Sequence, residues 1–189
     1  SFFWEERNDW FSDVWTDLKG TSQNLFDNKV GGRSAAYPFE LPYRLITMFS
    51  VKEDRILDPF FGIGTTMYAA MAAGRSSIGY EIDRNFHDAI VSRIAGIVKF
   101  GNRRIIERLN NHCNFIEKQF EKKGEFKYIN KNYQFPVITN QETALLINEL
   151  LSVRQTGTIN FEVRYSDEPQ KDFVLHWNRF VMSDSEKRK

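Results

Sequence analysis

The stretch "RILDPFFGIGTTMYAAMAAGRSSIGYEID", Arg55 to Asp83, decides the fold that this sequence predicts. It opens with a short apolar run ending in an acid, continues through a turn with two glycines, and enters a helix of small residues that Gly74 should close. A second apolar run, "SSIGYEI", follows and carries Glu81 near its end. The order strand, glycine turn, helix, strand predicts a βαβ unit with parallel strands.

The composition is that of a folded domain without a dominant charge. The 189 residues are 41% hydrophobic and 15% aromatic, which is enough for a real core. The net charge of +1 neither favours nor excludes an anionic partner. The single cysteine, Cys113, rules out an internal disulfide and suits a reducing compartment. No apolar run has transmembrane length, so we expect no membrane span and a cytoplasmic location.

The regions on either side of this unit carry weaker signals. The segment "PFELPYRLITMFS" has helical spacing, with Pro42 expected in the first turn. Residues 85–123 predict a mainly helical region with a break near Gly101. Near the start of the chain, "SDVW" suits a short strand.

The C-terminal part predicts an α+β appendage. "NQETALLINELLSV" predicts a helix capped by Asn140. "TINFEVRY" and "KDFVLHW" alternate apolar and polar residues around the turn "SDEP", which predicts a hairpin. This helix and hairpin suit either a module that contacts DNA or a structural cap on the sheet.

A basic stretch runs from Arg84 to Tyr133, with eleven Lys or Arg against five Asp or Glu and with aromatic residues between them. Such a stretch can bind DNA phosphates, or it can be the solvated face of a helix, and the sequence leaves both readings open. The three histidines are scattered without the spacing of a metal site, so we expect no metal.

The glycine turn is compatible with more than one nucleoside ligand. It lacks the G-x-x-x-x-G-K-[ST] pattern of a phosphate-binding P-loop, and Met67 stands where a dinucleotide fingerprint has its third glycine. Asp58 would also repel a pyrophosphate, whereas a carboxylate there suits an ammonium or sulfonium group. Glu81 comes 17 residues after Gly64, where an acid that binds a ribose diol is expected. The two acids favour S-adenosyl-L-methionine over a nicotinamide cofactor, and the plain alternative is a tight turn with solvated acids.

"DPFFGIGTT" followed by "GYEID" resembles the cofactor-binding motifs of the DNA amino-methyltransferases, which methylate N6 of adenine or N4 of cytosine. The resemblance implies an α/β fold with part of a Rossmann-like methyltransferase sheet, S-adenosyl-L-methionine as cofactor, and double-stranded DNA as partner. The positions that match the family motif D-P-F-x-G-x-G-T-T are Asp58, Pro59, Phe60, Gly62, Gly64, Thr65 and Thr66. By this resemblance Asp58 and the turn hold the methionine part, and Glu81 holds the ribose hydroxyls.

The upstream segment "RSAAYPFELPYRLI" is similar to the family's other cofactor segment, near H-P-x-x-F-P-x-x-L-x-x-x-L-I. Arg33 and Ser34 stand in place of the usual His and Pro, which leaves the contacts of residues 33–35 open. Phe39 or a neighbour is expected to pack near the cofactor. "DVW", 13–15, resembles the segment that precedes it in the permuted branch of the family, in which the catalytic half comes before the cofactor half.

The catalytic signature of the family, D/N/S-P-P-Y/F/W, is absent from these 189 residues, so no catalytic residue is predicted. The nearest string, "ELPYRL", lies inside the cofactor segment and predicts a helix start. Because the chain also opens in an aromatic cluster, we expect it to be the C-terminal part of a longer enzyme, or to work with a partner chain that supplies the catalytic half.

The expected organisation has three parts. Residues 1–33 end the catalytic half and link it onward, 34–100 bind the cofactor, and 101–189 hold the basic helix and the helix–hairpin module. The expected function is the cofactor-binding part of a site-specific methyltransferase in a bacterial or archaeal restriction–modification system, at the nucleoid. The alternatives are a noncatalytic DNA-binding subunit that retains the fold, and a nicotinamide-dependent oxidoreductase. Adenine is favoured over cytosine as the target base, and the recognition sequence is left open.

Overall fold

The computed structural model describes residues 1–18 and 37–174, apart from the side chain of Lys123. The helices are Trp4–Trp10 (α1), Glu40–Phe49 (α2), Thr65–Ala72 (α3), His87–Ile94 (α4) and Ile97–Lys123 (α5). The strands are Arg55–Asp58 (β1), Ser76–Gly79 (β2), Tyr128–Ile129 (β3), Pro136–Val137 (β4), Leu150–Gln155 (β5) and Phe161–Tyr165 (β6). Single 3₁₀ turns cover Arg84–Phe86 and Asn140–Glu142.

The central βαβ unit confirms the prediction from the sequence. Strand β1 pairs with β2 in parallel, with Asp58 opposite Gly79. Helix α3 connects them and is buried along its whole length, which its small and apolar residues allow. Gly74 follows the helix at a φ of 73°, a left-handed conformation in which glycine avoids the strain that a side chain would bring. The fold is therefore α/β at its centre, with antiparallel pairs β3–β4 and β5–β6 in the C-terminal part.

Strand β2 approaches the glycine turn so closely that only glycine fits at its last position. A Cβ built on Gly79 would lie 1.8 Å from Cδ2 of Phe61, well inside contact distance. Phe61 is also tied to the second strand by its backbone, since its N–H donates to the carbonyl of Tyr80 at 3.0 Å. The Phe61 ring therefore seals the turn against β2.

We expect Gly79→Ala to destabilise the protein by about 1–3 kcal/mol, because the added methyl group overpacks the Phe61 ring. The measurement is the free energy of unfolding from urea denaturation, with the exposed neighbour Ser76→Ala as control. Adding Phe61→Leu to Gly79→Ala should recover part of the loss. An unchanged urea midpoint for Gly79→Ala would contradict this packing.

Helix α5 organises the C-terminal part around a continuous buried face. This face consists of side chains that are wholly inaccessible: Ile97, Ile105, Leu109, His112 and Ile116. Gly101 lies within α5, and a Cβ there would come within 3.1 Å of the Leu150 side chain, so the glycine allows β5 to pack directly on the helix. The predicted helical break near Gly101 is wrong. The break falls at Gly96, between α4 and α5, and α5 continues through the boundary expected at residue 100.

Charged side chains connect α5 to the first two helices. Arg108 is 4% exposed and donates to both carboxylate oxygens of Glu6 on α1, at 2.6 and 2.7 Å, and to the hydroxyl of Tyr43 on α2 at 3.0 Å. Arg104 binds Glu40 of α2 at 2.7 Å. These contacts hold α1 and α2 against the long helix.

The helix predicted over residues 140–153 is wrong. Only the 3₁₀ turn forms, and residues 145–149 then lead into β5 without regular secondary structure. Two amide side chains take the backbone groups that a helix would use for itself. Asn130 donates to the carbonyls of Glu142 and Leu145 at 2.7 and 2.9 Å, and Asn102 bonds both the N–H and the carbonyl of Leu150.

The hairpin predicted between "TINFEVRY" and "KDFVLHW" is wrong, and a hairpin forms instead between β5 and β6. "TINFEVRY" supplies β6, which pairs with β5 and not with "KDFVLHW". Residues 171–174 are helical, and the rest of that string lies outside the described residues. The strand predicted for "SDVW" is also wrong, since residues 12–15 contain bends and no strand. Asn102 bonds both backbone groups of Leu150 and so holds the start of β5 beside α5.

One part of the βαβ unit leaves apolar strand residues uncovered. Leu57 on β1 is 64% exposed and Ile78 on β2 is 44% exposed, although parallel strands are ordinarily buried on both faces.

In the part of the chain that the structure describes, no helix is long and apolar enough to cross a membrane. The same residues contain no group of three acids, histidines or cysteines placed to hold a metal ion.

Candidate functional site

The glycine turn lies at the carboxyl end of β1, which is the edge where open α/β sheets bind ligands. Gly62 and Gly64 have φ values of 54° and 76°, so both use the left-handed region that favours glycine. Gly64 is the N-cap of α3, and Thr65 and Thr66 form its first turn and are buried. The turn thus passes from strand to helix with little side chain in the way of a ligand.

Asp58 is buried at the end of β1, with 9% of its surface exposed. Its Oδ1 accepts the backbone N–H of Phe60 at 3.0 Å, and its Oδ2 lies 3.4 Å from the hydroxyl of Tyr37. Two contacts therefore orient the carboxylate, while an ionised carboxylate has about four acceptor positions. The remaining positions can accept hydrogen bonds from a ligand.

Glu81 closes the turn from the other strand and lies two residues beyond the end of β2, whereas the sequence predicted it inside that strand. Its Oε2 accepts the N–H of Gly62 at 2.7 Å, and its Oε1 accepts the N–H of Asp83 at 2.9 Å. The carboxylate is exposed to solvent and keeps free acceptor positions on both oxygens. Two carboxylates on neighbouring strand ends therefore flank one glycine turn.

The structure brings Tyr37, rather than Phe39, to this turn. The Tyr37 hydroxyl lies 2.6 Å from Oγ1 of Thr66, in addition to its contact with Asp58. The Phe39 ring packs instead among aromatic rings of the core, 5.1 Å from Tyr43 and 4.7 Å from Phe100 between ring centres. The sequence placed both residues in the upstream segment, but which one reaches the turn depends on how α2 packs.

Arg93 of α4 also contacts the turn and was not predicted from the sequence. Its Nη1 donates to Oγ1 of Thr65 at 3.1 Å, and its guanidinium lies 5.0 Å from the centre of the Tyr68 ring. Burial lowers the pKa of Arg93 from its ordinary value, and the nearby Tyr68 raises it by less. Arg93 thereby fixes the first residue of α3 behind the glycine turn. The only sequence signal for it was its membership of the basic stretch.

The two residues after Asp58 project outward. Pro59 is exposed, and the Phe60 ring is 86% exposed although it follows a buried acid. An aromatic ring at the mouth of a site can cover a ligand's ring system or pack on another part of the protein. The predicted positions thus separate into buried residues that shape the turn and an exposed ring in front of it.

The site can hold a ligand with a cation at one end and a diol at the other. The buried acid suits an ammonium group, the second acid suits ribose hydroxyls, and the glycines let the ligand approach the backbone. The fold and this arrangement are those of an α/β domain whose glycine turn suits a nucleoside cofactor.

The comparison with protein families specifies the class further. Residues 2–92 match the family model described as DNA methylase, the N6/N4 methyltransferase type. This match contains α1, α2, the βαβ unit and both acids of the turn. The matched part of the chain, which is somewhat less than half of it, is therefore similar to the DNA amino-methyltransferases, in agreement with the resemblance in its motifs.

Sequence similarity to curated proteins extends beyond residues 2–92. The type II methyltransferase M.MthZI of Methanothermobacter thermautotrophicus is 49% identical over 173 residues, which cover 91% of this chain and 47% of the relative. M.HinfI of Haemophilus influenzae is 25% identical over 182 residues, covering 91% of this chain and 50% of the relative. The chain therefore spans about half the length of these two relatives.

A solved structure overlaps the chain in part. It is described as a DNA modification methylase of Thermus thermophilus in complex with S-adenosyl-L-methionine. The two chains are 34% identical over the aligned part, which covers 50% of this chain and 33% of the solved chain, and the TM-score is 0.41.

Proposed function

We propose that this chain is the cofactor-binding part of a DNA methyltransferase, which transfers a methyl group from S-adenosyl-L-methionine to an exocyclic amine of adenine or cytosine. The observation that carries the proposal is the pair of acids flanking the glycine turn. Asp58 accepts the N–H of Phe60 from one side, and Glu81 accepts the N–H of Gly62 from the other. The sequence motif supports the same cofactor, and the family match and the two type II methyltransferases support a methyltransferase.

Each part of the cofactor has a counterpart in this arrangement. The ammonium of the methionine part would lie against Asp58, where a buried carboxylate strengthens a charge-assisted hydrogen bond. The ribose hydroxyls would donate to the free acceptor positions of Glu81. The chain of the methionine would cross Gly62 and Gly64, and the exposed ring of Phe60 would cover the adenine or the sulfonium. The sulfonium supplies the methyl group when the cofactor is bound.

A nicotinamide dinucleotide fits the same site poorly. Its pyrophosphate would cross the turn next to the Asp58 carboxylate, and like charges at such short range repel strongly in a partly buried site. Met67 is buried in α3 where the dinucleotide fingerprint has a third glycine. These two features disfavour the oxidoreductase hypothesis.

Binding of S-adenosyl-L-methionine and of NAD to the full chain tests the proposal by isothermal titration calorimetry. We expect saturable binding of S-adenosyl-L-methionine and no measurable binding of NAD under matched conditions. S-adenosylhomocysteine is the control for product binding, since it keeps both the ammonium and the ribose. Tight binding of NAD would overturn the proposed cofactor.

The residues that present the target base should come from outside this sequence. No D/N/S-P-P-Y/F/W string occurs in the 189 residues, so the chain has a place for the methyl donor and no motif for the exocyclic amine. The exposed Leu57 and Ile78 offer an apolar surface for further strands or helices at the βαβ unit. We propose that the catalytic half packs there, either within a longer polypeptide in the permuted order or as a partner chain. Methylation of DNA by the 189-residue chain alone would contradict this.

Double-stranded DNA is the proposed substrate, in a bacterial or archaeal cytoplasm and in a restriction–modification setting. Part of the basic stretch serves the interior, since Arg93, Arg104 and Arg108 bind other side chains. The remaining described basic residues of the stretch are exposed and available for phosphate contacts: Arg84, Lys99, Arg103, Lys118, Lys122, Lys127 and Lys131.

A noncatalytic DNA-binding subunit is the alternative, and the missing catalytic string is the observation that favours it. A D-P-P-Y-like string in the remainder of the gene would decide for the enzyme.

A further inference from the structure

The Tyr37 hydroxyl joins the segment before α2 to the cofactor turn by contacting two motif residues at once. It lies 2.6 Å from Oγ1 of Thr66 and 3.4 Å from Oδ2 of Asp58. We infer that Tyr37 is a positioning residue that holds the Asp58 carboxylate in the orientation that receives the ligand's ammonium group. The inference rests on the proposed function, because it assigns the ammonium of S-adenosyl-L-methionine to Asp58.

The direction of the hydrogen bonds follows from what each group can donate. An ionised Asp58 only accepts, and the Tyr37 hydroxyl has a single proton. If that proton points at Asp58, the hydroxyl of Thr66 completes the chain by donating to the Tyr37 oxygen. The hydrogen bonds then run from Thr66 to Tyr37 and from Tyr37 to the Asp58 carboxylate. In such a chain each hydrogen bond strengthens its neighbour.

Tyr37 keeps its proton throughout the working range of pH. Burial raises the pKa of the Tyr37 hydroxyl above its usual value, the Thr66 hydrogen bond lowers it by less, and the charge of Asp58 and the hydrogen bond to it add further increases. The phenol therefore remains a donor toward the carboxylate.

The position of Tyr37 is fixed by its neighbours along the chain. Pro38 follows it and restricts the backbone, and Phe39 anchors the start of α2 among the rings of Tyr43 and Phe100. On the other side of Asp58, the N–H of Phe60 holds Oδ1 at 3.0 Å. The carboxylate is thus held at both oxygens, by the turn and by the segment before α2, before any ligand arrives.

Tyr37→Phe removes the hydroxyl and keeps the ring, so it tests the inference with little change in packing. The affinities of wild type and variant are compared for S-adenosylhomocysteine and for its deaminated analogue, which lacks only the amine. We expect Tyr37→Phe to weaken the binding of S-adenosylhomocysteine about five- to tenfold, because the variant loses one hydrogen bond to the Asp58 carboxylate. Its affinity for the deaminated analogue should stay within about twofold of wild type, because that analogue does not use Asp58 as a cation site.

Tyr165→Phe is the matched control. It also removes one partly buried phenol hydroxyl, which donates to the Met71 carbonyl at 2.7 Å at the far end of α3. This variant should bind both ligands like wild type. Equal weakening of both ligands by Tyr37→Phe would show a merely structural role and overturn the inference, and so would unchanged affinity for both. If wild type itself showed no preference for the amine, the assignment of Asp58 in the proposed function would fail instead.

Discussion

Asp58→Ala should reduce the affinity for S-adenosyl-L-methionine by about a hundredfold or more while leaving the fold in place. Removing the carboxylate leaves the ammonium of the ligand without its charged partner, and one or two charge-assisted hydrogen bonds are worth about 1.5–3 kcal/mol each. The variant also loses the bond from the Phe60 N–H. Calorimetric titration gives the affinity, and thermal unfolding shows whether the fold is retained.

Two further variants separate charge from geometry at this position. Asp58→Asn keeps the shape and can still accept the Phe60 N–H, but it removes the negative charge. We expect it to bind S-adenosyl-L-methionine nearly as weakly as Asp58→Ala. Asp54→Ala is the control, since Asp54 also accepts a backbone N–H, from Val51 at 2.7 Å, but is exposed at the opposite end of β1. Wild-type affinity in Asp58→Asn would show that Asp58 does not face a cation.

The features predicted well from the sequence are those decided within a few neighbouring residues. The acid, the two glycines and the small-residue helix form one uninterrupted stretch, and local backbone preferences fix their order. The left-handed conformations of Gly62 and Gly64 and the burial of α3 agree with that stretch. The close approach of Phe61 to Gly79 joins the two ends of the same stretch.

The features that were mispredicted depend on contacts between distant segments. The apolar pattern of residues 140–153 fits a helix, but Asn130 and Asn102 bind backbone groups that a helix would use for itself. Glycine has a low helix propensity, yet Gly101 lies inside α5, where the absence of a side chain lets Leu150 pack against the helix. In both cases tertiary packing overrides a local propensity of about 1 kcal/mol or less.

The candidate site shows the same division between local and distant information. Asp58 and Glu81 could be identified from their places at the ends of two apolar runs. The choice between Tyr37 and Phe39 could not, because it depends on which ring α2 turns toward the core. Arg93 reaches Thr65 only because α4 folds back beside α3, and its position in a basic stretch gave no sign of that contact.

Arg108→Leu should destabilise the protein by about 3–5 kcal/mol, the usual effect of removing one partner from a buried ion pair. The change leaves the Glu6 carboxylate without a cation and the Tyr43 hydroxyl without its partner at 3.0 Å. Burial disfavours the charged form of Arg108, but the Glu6 carboxylate outweighs this effect and raises the pKa of the guanidinium above its usual value. Arg108 is therefore charged in the folded protein. The free energy of unfolding from urea denaturation measures the loss.

An exposed ion pair in the same chain gives the matched control. Arg154 and Glu162 face each other across the hairpin at 2.5 Å, and both side chains are exposed. Arg154→Leu should therefore change the stability by less than about 1 kcal/mol. Replacing both buried partners, Arg108→Leu with Glu6→Leu, should recover much of the stability, since no uncompensated charge then remains inside. If Arg108→Leu cost no more than Arg154→Leu, the contact of α1 with α5 would not depend on this pair.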